Sequence, residues 1–159
     1  MTKVGFGYDI HRLVSGRDLF LGGVKVPHAK GLLGHSDGDV ILHAVGDAVL
    51  GALGEGEIGQ YFPPSDPEIK GIPSSKIMEK VLEKLRDKEG RILHLDVTLV
   101  AEEPRLASFY PKLKASLCKI MKLPAERINI KAKSQEGLGE IGQGQAIACY
   151  AVASIVSAQ

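Results

Sequence analysis

Residues 4–11 read V-G-F-G-Y-D-I-H, and this segment decides the fold because two kinds of side chain alternate along it. Alternation with a period of two predicts a β-strand, here over residues 3–12. The apolar face carries Val4, Phe6, Tyr8 and Ile10, and the opposite face carries Gly5, Gly7, Asp9 and His11. Because glycine has no side chain, the second face leaves room for another backbone or a ligand to approach closely.

A helix that we expect to be buried follows at residues 39–53, which read D-V-I-L-H-A-V-G-D-A-V-L-G-A-L. Most of its surface is apolar, and this pattern is typical of a helix covered on most sides. Asp39, His43 and Asp47 recur every four residues and therefore form one polar stripe. Buried polar groups need partners. A metal ion would supply one for His43, and Asp39 or Asp47 would hold its other ring nitrogen.

The remaining sequence predicts an α/β fold of the α+β type, with one domain over residues 1–159 and a mixed β-sheet backed by helices on one face. Gly22 and Gly23 indicate a hairpin, and Ser74 and Ser75 are predicted to cap a helix. The predicted strands are 3–12, 19–21, 24–26, 93–99, 128–134 and 146–156. The predicted helices are 39–53, 74–88 and 108–121, with loops at 31–37 and 54–66.

Composition excludes several classes of partner. The net charge of +1 and the absence of Trp argue against binding to nucleic acid or to an anionic membrane. No apolar run reaches the roughly 18 residues that span a bilayer, and residues 1–5 lack the features of a signal or transit peptide. Cys118 and Cys149 fit reduced thiols rather than a disulfide framework. We therefore expect a cytoplasmic protein that acts on small molecules.

Asp9, His11 and His43 are candidate metal ligands. Asp9 and His11 leave the same face of one strand because they are two residues apart. With His43 they would form a two-histidine, one-carboxylate set that leaves a coordination position free, as in catalytic zinc sites. Spacing alone leaves a second interpretation open, in which His43 is a hydrogen-bonded core residue and binds no metal.

Two further segments carry groups that suit phosphate. In G-H-S-D-G-D at 34–39, His35 and Ser36 precede a helix N-terminus, which attracts anions. The alternative is that Ser36 or Asp37 simply caps that helix. In K-A-K-S-Q-E-G-L-G at 131–139, a strand ends in a glycine-rich loop where Glu136 would hold a divalent cation. Taken alone, this second segment is better explained as a solvated turn with ordinary surface charge.

Together these segments resemble the 2-C-methyl-D-erythritol 2,4-cyclodiphosphate synthase family of the non-mevalonate isoprenoid pathway. The matching segments are G-F-G-Y-D-I-H at 5–11, G-H-S-D-G-D-V-I-L-H-A at 34–44, D-A-V-L-G-A at 47–52, E-I-G-Q-Y-F-P-P-S-D-P at 57–67 and K-A-K-S-Q-E-G-L-G at 131–139. The likeness is collinear over almost the whole chain, and the first two motifs are highly specific.

The resemblance implies a homotrimer, with sheets packed around the three-fold axis and active sites between neighbouring subunits. It also implies an enzyme, a phosphorus–oxygen lyase, whose substrate is 4-diphosphocytidyl-2-C-methyl-D-erythritol 2-phosphate. The 2-phosphate attacks the β-phosphorus, the cyclic diphosphate forms and CMP leaves. The implied cofactors are Zn²⁺ and a second divalent cation, Mg²⁺ or Mn²⁺.

Site residues follow from the same resemblance. The implied zinc ligands are Asp9, His11 and His43, the second cation is assigned to Glu136, and the catalytic residues are His35 and Ser134. Substrate contacts are implied for Asp9, His11, His35, Ser36, Glu57, Ile58, Gly59, Phe62, Pro63, Pro64, Ser65, Asp66, Ala101, Glu102, Glu103, Pro104, Arg105, Leu106, Ala107, Lys133, Ser134, Gln135 and Glu136.

The chain departs from the family pattern in places. Glu57 stands where Asp is common, so the carboxylate lies one methylene further out. Gln143 and Gln145 stand where many bacterial members have an Arg and a Glu that line an isoprenoid-diphosphate cavity, which predicts weak or absent binding of such ligands. The rival functions are a zinc-dependent phosphoesterase on the same scaffold and a non-enzymatic module that binds metal or isoprenoid diphosphate.

Overall fold

A computed structural model of the protein describes residues 1–158. Its strands are β1 (Thr2–Ser15), β2 (Leu19–Leu21), β3 (Val24–Val26), β4 (Lys30–Leu32), β5 (Arg91–Val100), β6 (Ile128–Lys133) and β7 (Ala146–Val156). Its helices are α1 (Val40–Leu53), α2 (Ile58–Tyr61), α3 (Ser74–Asp87), α4 (Tyr110–Met121) and α5 (Gly139–Gly142). Short 3-10 turns lie at Pro67–Ile69, Ala107–Phe109 and Ala125–Arg127.

Five strands form a mixed sheet in the order β4-β1-β7-β5-β6. β1 pairs antiparallel with β4 and β7, β5 pairs antiparallel with β7, and β5 pairs parallel with β6. The separate hairpin joins β2 to β3, as the two glycines predict. Helix α1 packs on β1 and β7, α3 packs on α1, and α4 packs against β6. The predicted mixed sheet backed by helices on one face is therefore confirmed.

The two faces of the sheet differ sharply. On the face turned toward α1, Ile147, Cys149, Ala151, Ala153 and Ile155 of β7 are buried. On the opposite face, large apolar side chains are between 40% and 67% exposed; they are Val4, Phe6, Tyr8, Ile10, Tyr150 and Val152. We call this second surface the apolar sheet face.

Several local predictions need correction. Helix α1 begins at Val40, and its N-cap is Asp39, whose carboxylate accepts from the backbone N–H groups of Ile41 and Leu42; the prediction that Ser36 or Asp37 caps it is wrong. Ser74 is already the first residue of α3 and makes no capping bond, because its hydroxyl is bound to Asp37.

Short elements were hidden in predicted loops. The loop predicted at 31–37 contains the end of β4, and the loop predicted at 54–66 contains α2. Both are too short for a periodic pattern to emerge. The apolar segment 146–156 is a strand, as predicted.

Two other sequence predictions concern the state of the cysteines and the absence of a membrane-spanning segment. Cys118 and Cys149 are both free thiols, as expected, and burial raises the pKa of Cys149 well above its ordinary value. Among the residues described, no helix combines the length and the apolar composition that crossing a bilayer requires.

Candidate active site

The glycine face of β1 is what brings a helix close enough to build a site. A Cβ atom on Gly5 would lie 1.8 Å from the carbonyl oxygen of Ala48, and one on Gly7 would lie 1.9 Å from that of Ala44. These distances are far inside van der Waals contact, so only glycine lets α1 rest on the strand here. The expected close approach of another backbone is confirmed, and it sets His43 of α1 beside Asp9 and His11.

Asp9, His11 and His43 converge on one point. The Asp9 Oδ2 atom lies 3.0 Å from His11 Nε2 and 3.0 Å from His43 Nδ1, and the two ring nitrogens are 3.4 Å apart. Within the described residues they form the one cluster of this kind that suits a metal ion. Their side chains are between 16% and 23% exposed, so a ligand can reach them.

These separations fit a tetrahedral zinc ion. Ligands that lie 2.0–2.1 Å from zinc at tetrahedral angles are about 3.3 Å from one another. The three measured separations bracket that value without any movement of the side chains. The donor set, two imidazoles and one carboxylate with a side left open, is that of catalytic zinc.

The partner of the second His43 nitrogen differs from the prediction. His43 Nε2 lies 2.9 Å from Ser74 Oγ and 3.2 Å from Ser36 Oγ, so neither Asp39 nor Asp47 holds it. Asp39 also accepts from the N–H groups of Gly22 and Gly23 and so ties the hairpin to α1. Asp47 accepts from the N–H of Ile58, at 2.8 Å, and anchors α2. Both carboxylates lie on the predicted polar stripe, but they accept hydrogen bonds from backbone N–H groups and not from His43.

The ionisation of the cluster reflects its mutual contacts. Burial acts to raise the pKa of Asp9, but hydrogen bonds and charge from His11 and His43 outweigh it, and the pKa is lowered. Burial acts to lower the pKa of His43, but the bond to Asp9 and the nearby carboxylates of Asp9, Asp39 and Asp37 raise it overall. In the absence of metal, both shifts favour an ion pair of Asp9 with the imidazole of His43, and a metal ion that binds Nδ1 would displace the proton between them.

A cavity of about 260 Å³ opens beside the cluster, and we call it the metal cavity. Its lining residues are Asp9, His11, His35, Ser36, His43, Asp47, Ile58, Gly59, Phe62, Pro64, Ile69, Ile72 and Ile77. It thus brings together many of the side chains implied for substrate contact. Glu57, Pro63, Ser65 and Asp66 do not line it, and the Asp66 carboxylate caps the following 3-10 turn through Glu68 N–H at 2.9 Å.

Some of these lining residues were not predicted. Asp47 was recognised only as part of the polar stripe, and burial raises its pKa. Ile69 and Ile72 carry no sequence signal, because they reach the cavity through an irregular segment. That segment is held in place by the bond from Gly71 N–H to the His35 carbonyl oxygen, at 2.7 Å.

A second cavity, of about 340 Å³, lies at the ends of β5 and β6, and we call it the strand-end cleft. It is lined by Ala101, Glu102, Pro104, Arg105, Leu106, Ala107, Tyr110, Ala132, Lys133 and Ser134. This set contains nearly all of the predicted 101–107 segment, Glu103 excepted. Tyr110 was not predicted; its hydroxyl accepts from Ala132 N–H at 2.8 Å.

The loop that follows β6 borders this cleft. The Glu102 carboxylate accepts from the N–H groups of Gln135, at 2.7 Å, and Gly137, at 3.2 Å. The Ser134 hydroxyl donates to Glu136 at 2.9 Å. The loop is therefore folded around two carboxylates, one of which is the predicted second cation ligand.

The metal cavity and the strand-end cleft have no lining residue in common. The register places Asp9, Cys149, Leu99 and Ala132 in one row across the sheet. Adjacent strands are about 4.8 Å apart, so three steps along that row cover about 14 Å. Within one chain, Ser134 and Glu136 are thus remote from the metal-binding cluster.

Two imidazoles and one carboxylate with a side left open are typical of catalytic metal centres, so the fold and the site together indicate a metal-dependent enzyme. The model of the YgbB family matches residues 2–156, and the chain belongs to this family. Over 150 residues the chain is 48% identical to the 2-C-methyl-D-erythritol 2,4-cyclodiphosphate synthase of Gloeobacter violaceus, a match that covers 94% of this chain and 92% of the relative. The resemblance drawn from the motifs is thereby confirmed.

Solved structures agree with this assignment. The bifunctional IspDF of Campylobacter jejuni matches with a TM-score of 0.94 and 32% identity, covering 99% of this chain and 42% of that one. A 2C-methyl-D-erythritol-2,4-cyclodiphosphate synthase in a CDP-bound form matches with a TM-score of 0.89 and 34% identity, covering 97% of this chain and 100% of that one. The fold is therefore that of the cyclodiphosphate synthases.

Proposed function

We propose that the chain converts 4-diphosphocytidyl-2-C-methyl-D-erythritol 2-phosphate to 2-C-methyl-D-erythritol 2,4-cyclodiphosphate and CMP, a step in isoprenoid precursor biosynthesis. The observation that carries this proposal is the convergence of Asp9, His11 and His43 at tetrahedral spacing beside an open cavity. Family membership and near-full-length identity to named synthases support the choice of substrate.

The reaction balances without water. An oxygen of the 2-phosphate attacks the β-phosphorus and forms the new P–O bond. The bond from the β-phosphorus to the oxygen that bridges to the α-phosphate breaks, and CMP leaves with that oxygen and its electron pair. Because one anion approaches another, positioning and charge neutralisation must supply most of the rate enhancement.

The chain's own residues divide these tasks. Asp9, His11 and His43 would hold Zn²⁺, which when bound neutralises phosphate charge and polarises the phosphorus centre. Glu136 would hold the second divalent cation, Mg²⁺ or Mn²⁺, whose ligands are typically carboxylates and phosphate oxygens. His35 and Ser134 donate hydrogen bonds to the phosphates and act as the catalytic side chains.

We assign the erythritol part of the substrate to the metal cavity. Its apolar wall (Ile58, Phe62, Pro64) fits the methyl-bearing carbon skeleton, and Ser36 offers a hydroxyl. Glu57, the exposed residues Pro63 and Ser65 and the half-buried Asp66 belong to the rim of the pocket in this proposal. They lie in a short surface segment that can fold over the sugar.

We assign the cytidine part to the strand-end cleft. The segment 101–107 and Lys133 line it, and backbone groups there read the base while Lys133 faces the diphosphate. The CDP-bound form of a relative with a TM-score of 0.89 supports a nucleotide ligand for this fold.

We also propose that the chain is a homotrimer whose active sites lie between subunits. The exposed large apolar side chains of the apolar sheet face support this proposal, because such a patch is typical of an interaction surface and a second copy of the chain offers the same patch. The roughly 14 Å between the metal-binding cluster and the β6 end also supports a site formed by two cavities that meet across an interface. The unit that trimerises is one synthase domain over residues 1–159, and the cytoplasm is its compartment.

The decisive experiment is turnover of the proposed substrate in water enriched in ¹⁸O, with CMP and the phosphorus products followed by mass spectrometry. Cyclisation yields CMP and the cyclic diphosphate without ¹⁸O in either. A phosphoesterase would place the label in a product, and a binding module would release no CMP; either result would overturn the proposal.

A further inference from the structure

We propose that Ser74 and Asp37 form a positioning relay that holds the His43 imidazole with its Nδ1 lone pair directed at the metal. The inference rests on the metal centre of the proposed function and extends it to two residues outside that centre. Ser74 is fully buried, and Asp37 lies in the loop that precedes α1.

The contacts form one continuous chain. His43 Nε2 lies 2.9 Å from Ser74 Oγ, and Ser74 Oγ lies 2.5 Å from Asp37 Oδ1. The other carboxylate oxygen, Oδ2, accepts from the Ser74 backbone N–H at 2.9 Å. Asp37 Oδ1 also accepts from Asp39 N–H at 3.1 Å. The carboxylate is therefore fixed from two sides, and the hydroxyl is fixed by the carboxylate.

The direction of each hydrogen bond follows from the donors available. An ionised carboxylate only accepts, so the single hydrogen of the Ser74 hydroxyl points to Asp37. The hydroxyl oxygen then offers lone pairs to His43 Nε2, and this nitrogen must carry a hydrogen. A neutral imidazole with its hydrogen on Nε2 has its lone pair on Nδ1. That is the nitrogen which lies 3.0 Å from Asp9 and 3.4 Å from His11.

Alternative partners do not replace the relay. Asp39 is fully engaged by backbone N–H groups of the hairpin and of α1, and Asp47 by Ile58. Ser36 Oγ is the second hydroxyl near His43 Nε2, but at 3.2 Å it is further away, and Gly38 N–H also donates to it. Asp9 contacts the other nitrogen, Nδ1, so on the Nε2 side it is Ser74 that joins the imidazole to a carboxylate. Once zinc displaces the hydrogen from Nδ1, that junction holds the remaining hydrogen on Nε2.

The first test compares Ser74→Ala with Ser75→Ala, a matched change at the next serine, which has no part in the relay. Ser74→Ala keeps the backbone bond to Asp37 and removes only the hydroxyl. Zinc dissociation constants of the metal-stripped proteins are measured by competition with a chelator. We expect Ser74→Ala to bind zinc about 10- to 100-fold more weakly than Ser75→Ala, which is the usual cost of losing such a partner.

The second variant, Asp37→Asn, keeps the shape but weakens the relay. Both oxygens of Asp37 accept from backbone N–H groups, so the amide NH₂ must face one of those donors, and the uncharged side chain holds the Ser74 hydrogen less firmly. That hydrogen can then turn toward His43 Nε2, which favours the wrong tautomer. We expect a similar loss of zinc affinity, and ¹⁵N spectra of the imidazole should show a reduced fraction with hydrogen on Nε2. Because both changes act on one chain of bonds, the double variant should lose no more than the larger single effect.

The possible outcomes separate the relay from the metal centre. If the unmodified protein binds no zinc, the metal centre and the relay are both overturned. If it binds zinc but Ser74→Ala and Asp37→Asn stay within twofold of Ser75→Ala, with an unchanged imidazole spectrum, the relay alone is overturned. Thermal unfolding of the metal-free variants is recorded alongside, and if Ser74→Ala does not fold, Asp37→Asn decides.

Discussion

The metal cavity and the strand-end cleft differ in how completely one chain builds them. At the metal cavity, side chains from β1, α1, α3 and the 34–39 loop converge and bond to one another in the protein interior. At the strand-end cleft, the loop after β6 is exposed and is held mainly by the carboxylate of Glu102. The first region is therefore organised before any ligand binds, whereas the second is an open wall that, in the proposed trimer, a neighbouring subunit would complete.

The largest effect should come from breaking the metal cavity. His43→Ala removes one of three ligands, so we expect loss of most bound zinc and a fall in turnover of about 10³-fold or more, since metal stabilisation contributes several kcal/mol. Metal analysis and a CMP-release assay measure both quantities. His28→Ala is the matched control, because His28 is half-buried and lies outside the cluster. A His43→Ala protein that keeps its zinc would remove this residue from the ligand set.

Mixing two inactive variants tests whether the two regions meet between subunits. His43→Ala inactivates the metal-binding cluster, and Ser134→Ala inactivates the loop after β6. An interface is therefore active when the Ser134→Ala chain supplies the cluster and the His43→Ala chain supplies the loop. Random assembly of an equal mixture should restore about a quarter of the sites. Activity after co-refolding, compared with that of each variant refolded alone, measures this fraction.

Failure of the mixture to recover any activity would mean that each chain carries a whole site. Native mass spectrometry of the mixture provides the control, because the two variants differ in mass and the spectrum shows whether hybrid assemblies formed. The same measurement tests the proposed trimer directly. An unmodified protein that is a monomer in this measurement would leave the apolar sheet face without its proposed partner.

The sequence foretold the metal-binding cluster better than its surroundings, for a physical reason. Asp9 and His11 share a strand face by simple alternation, and the glycines beside them predict the close approach of another backbone or a ligand, which the structure shows to be α1. The Ser74 partner of His43 could not be predicted, because it is 31 residues away and belongs to another helix. The predicted partners on the polar stripe, Asp39 and Asp47, accept hydrogen bonds from backbone N–H groups instead. Those N–H groups come close only in the folded chain, so the sequence pattern could not reveal them.

A similar limit applies to the strand-end cleft. Its segments 101–107 and 131–139 were predicted from the family resemblance, and the structure places them side by side because β5 and β6 are parallel neighbours. The bonds from the loop to Glu102 cross 33 and 35 residues of sequence and leave no periodic trace. Patterns within a single strand or helix could be recognised in the sequence, whereas contacts between different elements could not.

The pH dependence should separate metal-free from zinc-loaded protein. The pKa of His43 is raised above its ordinary 6.5 by Asp9, so its stabilising contribution to the metal-free fold is complete below pH 6.5 and is lost as pH rises through the raised value. The lowered pKa of Asp9 acts oppositely, since its contribution is present above 3.8 and is lost as pH falls through the lowered value. Denaturant titrations of stripped protein from about pH 2 to pH 9 measure both trends, the Asp9 trend at the acid end and the His43 trend above pH 6.5.

Bound zinc should reverse the loss of stability with rising pH, because zinc binds the neutral imidazole and must displace the proton. Zinc affinity should therefore weaken as pH falls, and this weakening should begin above pH 6.5 because the pKa of His43 is raised. The metal-free His43→Ala protein should no longer lose stability as pH rises. If that loss persists there, another group is responsible for it.

The smallest effect should come from the strand-end cleft. Glu102→Ala removes the acceptor of the Gln135 and Gly137 N–H groups, which loosens the loop without touching the metal-binding cluster. Since these bonds are exposed to water, we expect KM to rise by about 3- to 10-fold with little change in kcat. Glu126→Ala, at an exposed glutamate outside both cavities, is the control.

Zinc affinity should be unchanged in both variants, because the metal ligands lie on β1 and α1 and their supporting residues on α3 and the 34–39 loop, away from Glu102 and Glu126. A large fall in zinc affinity on Glu102→Ala would mean that the two regions are coupled within one chain, contrary to the separation that the sheet register imposes.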